Sequence, residues 1–159
     1  MVQLIMADAK YKELYRNLFN MYQNELAQYY SSYQWVDDEG YFDKELVDIY
    51  FQNDPAIYPM IIKWNGHNVG VVVITKAPLV KENCDYCIQE FFLIQSCRGK
   101  GIAQEVSKQL FKVLKGRICL SVLNRNYRAI AYWDKVLSQH ATKIQADIKE
   151  VNMFYEFTI

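Results

Sequence analysis

The sequence predicts an α/β (α+β) chain built on a mixed, mostly antiparallel central sheet flanked by helices, and three observations carry that prediction. Apolar residues recur at three-and-four spacing over residues 9–30, 101–114 and 124–137, the mark of amphipathic helices. β-branched runs lie between them, two of them flanking Asn65-Gly66, a dipeptide suited to a tight hairpin because both positions tolerate positive φ. A strand, helix, strand succession over residues 86–122 is a crossover unit, which demands at least one parallel pairing. The 159 residues suit a single domain over 1–159, read in the order βααβββαβαββ.

Each element has a local reason. Residues 2–6, VQLIM, form a short apolar strand, and Asp8 can cap the helix that follows, whose stripe is Tyr11, Leu14, Tyr15, Leu18, Met21, Tyr22, Leu26 and Tyr29. Asp43 can cap a second, short helix carrying Leu46, Val47, Tyr50 and Phe51, which Asn53-Asp54-Pro55 stops. IYPMIIKW and NVGVVVIT are the hairpin strands, and residues 76–85 form a loop. Residues 86–95 are a third apolar strand, followed by a glycine-containing turn and a helix that Gly116 ends. RICLSVL reads as a short strand buried on both faces. A helix over 124–137 and a closing hairpin, 142–148 with 151–159, complete the chain.

Composition excludes several classes. With 52% hydrophobic and 23% charged residues, six Gly and three Pro, the chain is neither disordered nor collagen-like. No apolar run approaches the roughly 20 residues of a spanning helix, and the N-terminus lacks the pattern of a signal peptide, so a cytoplasmic protein without a membrane partner is expected. The 18 basic and 18 acidic residues cancel, which gives no global attraction to nucleic acid. Locally, Asp37, Asp38, Glu39, Asp43, Glu45, Asp48 and Asp54 make residues 31–60 acidic, whereas residues 98–135 are basic. The pair of blocks suggests an anionic ligand on one side and a cationic one on the other.

Cys84, Cys87, Cys97 and Cys119 suit reduced thiols in a cytosolic chain, with no disulfide framework. Cys84 and Cys87 form a CxxC. No further ligands stand at zinc spacing, and the pair leads into a strand rather than opening a helix as a redox CxxC does, so no metal site is expected and ordinary thiols are.

The chemistry-bearing segment is Arg98-Gly99-Lys100-Gly101-Ile102-Ala103, placed after a strand and opening a helix. Glycines there admit close backbone approach, and a helix start offers unpaired N–H groups with partial positive charge, the elements of a phosphate site. A structural turn explains the same two glycines. The segment is neither GxGxxG nor GxxxxGK[ST]. Its Arg98, Gly101 and Ala103 do match the [Q/R]xxGx[G/A] signature of the GNAT N-acetyltransferases, and Asn126, Ala129 and Tyr132-Trp133 match that family's downstream Asn, Ala and aromatic pattern. The chain therefore resembles that family, except that residues 9–52 carry no motif.

The resemblance implies acetyl transfer from acetyl-CoA to an amine. Backbone amides of Arg98, Gly99, Lys100, Gly101, Ile102 and Ala103 would hold the pyrophosphate. Backbone groups near Phe92, Leu93 and Ile94, where the strand splays from its neighbour, would pair with the pantetheine arm and polarise the thioester carbonyl as an oxyanion hole does. Asn126 would bond the pantetheine region, and Trp133 would pack near the thiol. An attacking amine must be neutral, so a base is needed. Glu90 is the candidate, an acid within an otherwise apolar strand; the alternative is a solvent-facing or lysine-paired carboxylate. Trp133 stands where many members carry a tyrosine acid, which leaves Tyr132, turned about 100° along the helix, as the candidate acid.

The acceptor expected is amine-bearing and cationic, because aromatic residues concentrate with the acidic block between Tyr11 and Tyr58. The same aromatics are compatible with a homodimer interface. A catalytically inactive CoA-binding sensor is the alternative that Trp133 keeps open. Nucleic-acid binding is disfavoured, because no aromatics interleave with the basic block as single-strand binding requires.

Overall fold

The computed structural model describes residues 1–159. The chain runs through β1 (Val2–Met6), a 3-10 turn (Ala9–Tyr11), α1 (Lys12–Leu26), a second 3-10 segment (Glu45–Phe51), β2 (Ile57–Trp64), β3 (His67–Lys76) and β4 (Tyr86–Leu93). It continues through a further 3-10 turn (Gln95–Cys97), α2 (Ile102–Val113), β5 (Arg117–Leu123), α3 (Tyr127–His140), β6 (Thr142–Lys149) and β7 (Asn152–Thr158). The seven strands form one open sheet in the order β1-β2-β3-β4-β5-β7-β6. Its one parallel pairing is β4 with β5, the two strands of the crossover unit.

Local chemistry accounts for the element ends. Asp8 accepts a hydrogen bond from the Lys10 N–H, and Asp43 Oδ1 accepts one from Leu46 N–H at 3.1 Å. Asn65 and Gly66 have φ of 51° and 84°, the pair of positive values that a tight hairpin needs. The two N-terminal helices differ from expectation, and the helix expected over 124–137 runs from Tyr127 to His140. The first helix ends at Leu26 rather than Tyr30, because Gln28 and Tyr30 are exposed and add no helical face to the core. The second helix is a 3-10 segment; a seven-residue stretch gains too few α-helical bonds to outweigh nucleation.

Helices cover both faces. On one side, α2 and α3 pack on Ile62, Val72, Ile74, Ile88, Ile118, Leu120, Tyr155 and Phe157, the larger core. On the other, α1 and the Glu45–Phe51 segment bring Tyr15, Leu18, Phe19, Val47 and Tyr50 onto Ile61, Val71, Val73 and Phe92. This second layer stops short of β5. There RICLSVL alternates, with Ile118, Leu120 and Val122 buried and Ser121 exposed, so the expectation of a strand buried on both faces is corrected. No helix is long and apolar enough to cross a membrane.

Two irregularities in β4 position the site. Its register against β3 shifts between Val73 and Ile74, so Gln89 is an extra residue that bends the strand. Its pairing with β5 covers only Tyr86 to Ile88 against Ile118 to Leu120, beyond which the strands part. Gly70 on β3 permits the close contact behind this bend: a Cβ there would stand 2.1 Å from the Phe92 carbonyl oxygen.

Candidate active site

Where β4 and β5 part, a cleft of about 670 Å³ opens between α1, the end of β4, the start of α2 and α3. It gathers Phe92, Leu93, Arg98, Gly99, Gly101, Ile102, Ala103, Asn126, Tyr132 and Trp133. The Phe92 carbonyl faces Gly70 of β3. By the alternation of a β-ladder, the backbone groups of Phe91 and Leu93 then point the opposite way, into the opening.

At the mouth, Gly99 and Gly101 both have φ of 76°, a left-handed conformation that turns successive N–H groups to one side as a nest does. The N–H groups of Gly99, Lys100, Gly101, Ile102, Ala103 and Gln104 meet no acceptor in the protein; the first bond of α2 comes from Glu105 to the Gly101 carbonyl. Together with the N-terminal dipole of a twelve-residue helix, they form an anion site.

Several predicted contacts are corrected here. The Arg98 N–H is bonded to Gln95, so this residue does not join the free amides. Its guanidinium donates to the Leu93 carbonyl at 2.6 Å and 2.8 Å and to the Glu25 carboxylate at 2.7 Å, fastening β4 to α1. The Leu93 carbonyl is thereby occupied, leaving its N–H as the group facing the opening. Ile94 is engaged at both ends: its N–H bonds Val69 and its carbonyl accepts from Cys97. It therefore has no backbone group for a pantetheine arm. The Lys100 ammonium lies 5.1 Å from the Trp64 ring centroid, away from the cleft, so this residue contributes its amide alone.

The α3 wall follows from its cap. Asn126 Oδ1 accepts from the Ala129 N–H at 3.2 Å, which explains in physical terms why an Asn and an Ala stand three residues apart. Trp133 is buried edge-on against Phe91, their centroids 5.5 Å apart. The Tyr132 hydroxyl lies 2.7 Å from Ser107 Oγ and donates to the Ala103 carbonyl at 2.8 Å, fastening α3 to the first turn of α2. Burial pushes its pKa up to about 12, against a lowering by Ser107. Held in this way, the phenol acts as a strut.

Glu90 lies on the opposite face of β4, next to the cleft but behind its wall. It is half-buried and forms no ion pair, which removes the lysine-paired alternative. Tyr50 donates to its Oε1 at 3.1 Å. Burial raises its pKa to about 7, a rise that hydrogen bonds from Tyr50 and Tyr22 partly offset. Tyr22 in turn stacks on Phe92, centroids 5.2 Å apart, and both rings line the cleft. One aromatic layer thus separates the carboxyl from the opening.

Sequence reading missed Tyr22, Tyr50, Glu25 and Phe91. The two tyrosines and Phe91 read as ordinary core positions. Tyr50 and Glu90 are 40 residues apart and Glu25 and Arg98 are 73 apart, so no local pattern could join them. The acidic block proves largely structural. Asp48 pairs with Arg16 and Lys12, Asp43 and Asp54 cap local turns, Asp37 folds its own loop, and none of them lines the cleft.

A sheet opened between two strands, with a glycine turn feeding a helix at its mouth, is the GNAT acetyltransferase fold. The model of the acetyltransferase (GNAT) family matches residues 17–138, and the chain belongs to that family, whose co-substrate is acetyl-CoA. An acetyltransferase from Thermus thermophilus superposes with a TM-score of 0.74 at 14% identity, over 100% of this chain and 97% of that one. The PaiA N-acetyltransferase from Thermoplasma acidophilum, solved in complex with coenzyme A, gives 0.67 at 13% identity, over 100% and 99%. A GNAT family acetyltransferase from Streptococcus agalactiae gives 0.70 at 15%, over 99% and 95%. No curated protein matches the sequence significantly.

Proposed function

We propose that this protein is an N-acetyltransferase that binds acetyl-CoA in the β4/β5 cleft and transfers the acetyl group to an amine by direct attack. The observation that carries this reading is the run of unpartnered amides from Gly99 to Gln104 at the mouth of an opening between parted strands. These groups suit a pyrophosphate: they are neutral donors arranged around a helix N-terminus, with no acidic side chain paired to them. Acetyl-CoA supplies the activated acyl group, and its thiolate is a good leaving group. The chain's own contribution is threefold. The turn and Asn126 orient the co-substrate, the Leu93 N–H faces the opening as a donor to an acyl oxygen, and Glu90, poised near neutrality, accepts the amine proton through a water beside Tyr22. With Tyr132 held by Ser107 and Ala103, no acid is assigned to the departing thiolate.

The acceptor's amine is read from Glu90, a carboxylate without a cation partner, rather than from the acidic block. The test is a thermal melt with acetyl-CoA, CoA and ATP, followed by thiol release with a panel of amines. A ligand at 100 times its Kd adds about 2.7 kcal/mol, so both CoA forms raise Tm and ATP does not. No shift with acetyl-CoA overturns the cofactor site; a shift without turnover on any amine favours the sensor.

A further inference from the structure

Away from the cleft, three of the four cysteines share one neighbourhood, two of them as strand partners. Cys87 and Cys119 are direct partners in the short β4/β5 pairing, and strand spacing puts their Cα atoms about 4.8 Å apart, within the range a disulfide spans. Ile88, Ile118 and Leu120 face the α2/α3 core, so alternation turns Cys87 and Cys119 to the other face, which α1 does not reach at β5. They stand in a row across four strands, Thr75, Cys87, Cys119 and Glu156. Over that row folds the loop carrying Cys84, whose N–H bonds the Lys81 carbonyl while the Lys81 ammonium pairs with Glu156. The Thr75 hydroxyl in the row is buried and has no partner. Cys97 lies apart, on the wall of the cleft. No cluster of three or more His, Cys, Asp or Glu side chains is arranged to hold a metal ion.

The geometry points to a thiol-oxidation site at this junction, in which Cys119 is oxidised by a hydroperoxide and then bridged by Cys84 or Cys87. The neighbouring Cys87 thiol first, then Cys84 and the Lys81 backbone, favour the Cys119 thiolate and hold it below the usual thiol range, against the effect of burial and of Glu156. Burial raises Cys84, and the bond to Cys119 raises Cys87, so the three thiols divide into one nucleophile and two resolving partners. Cys119 and Cys87 are half-buried rather than sealed.

The chemistry balances. The Cys119 thiolate attacks one peroxide oxygen, the O–O bond breaks, and sulfenic acid forms with hydroxide, which takes up the proton the thiol lost. The second thiol attacks the sulfenic sulfur, the S–O bond breaks, and water leaves. Two thiols lose two electrons to one hydrogen peroxide, giving one disulfide and two waters. A bridge through Cys87 ties β4 to β5 at the stretch where they pair, and one through Cys84 ties the loop before β4 to β5. The site does not rest on the acyl-transfer reading.

The test treats the full chain with stoichiometric hydrogen peroxide, then counts free thiols and maps peptides without reduction. Expected is a fall from four titratable thiols to two, a mass loss of two hydrogens, and a crosslink joining the peptide of Cys119 to Cys84 or Cys87, reversed by dithiothreitol. A Cys97→Ser variant forms the same bridge, and Cys119→Ser does not. The inference is overturned if all four thiols survive, if Cys119 stays reduced while Cys84 and Cys87 bridge, or if the crosslink involves Cys97. Should Cys119→Ser fail to fold, a Cys84→Ser, Cys87→Ser double variant supplies the comparison: it forms no crosslink and carries sulfenic acid at Cys119, trapped by dimedone, and an unreacted Cys119 there overturns the inference.

Discussion

The two faces of β4 were built by different means. Toward α2 and α3 the strand presents Phe91 and Leu93, and the cleft elements on that side are each encoded locally: a glycine turn, a helix start, and an Asn cap with its aromatic pair. Toward α1 it presents Glu90 and Phe92, and their neighbours Tyr22 and Tyr50 come from distant segments with no motif. The difference teaches that the co-substrate side follows from short-range backbone geometry, whereas the chemistry of the proton depends on an assembled environment. The same carboxyl in an exposed strand would titrate near its ordinary 4.5.

Four substitutions can break or sharpen this contrast. The largest effect belongs to Glu90→Gln, which lowers kcat by about 10²-fold to 10⁴-fold while the acetyl-CoA melting shift stays intact. In the unaltered protein, on the proposed reading, kcat/KM rises as pH increases through about 7, as Glu90 loses its proton. Stability moves the other way. The folded carboxyl holds its proton up to about 7 and the unfolded one only to 4.5, so folding loses stability as pH rises across that window. Glu90→Gln therefore melts above the parent at pH 8 and gains nothing at pH 4. A flat rate profile would return Glu90 to a structural role.

Next is Gly70→Ala, which forces a Cβ against the Phe92 carbonyl behind the bend that both faces share. It costs about 3 kcal/mol in denaturant unfolding and weakens CoA binding as well as turnover. Tyr132→Phe is smaller. Loss of the hydroxyl that links Ala103 and Ser107 costs about 1 kcal/mol, with kcat nearly unchanged. A fall in kcat matching that of Glu90→Gln would make Tyr132 the acid after all. Smallest is Asn126→Ala, about 1 kcal/mol or less from the lost cap, visible as a modest drop in Tm and a rise in KM for acetyl-CoA.

Much of the fold and half of the site were legible in the sequence. The hairpin at Asn65-Gly66, the caps at Asp8 and Asp43, and the glycine turn at Gly99 and Gly101 are local events, set within a few residues by φ preference and side-chain reach. The parallel pairing of β4 with β5 followed from the strand, helix, strand succession of a crossover. Tertiary structure alone decided the rest. It turned the Arg98 guanidinium inward to Glu25, closed both backbone groups of Ile94, drew the acidic block into caps and ion pairs, and set Cys119 beside Cys87. Such outcomes depend on which surfaces meet and how much water they exclude. Burial and proximity across tens of residues are properties of the assembled sheet, and no spacing along the chain contains them.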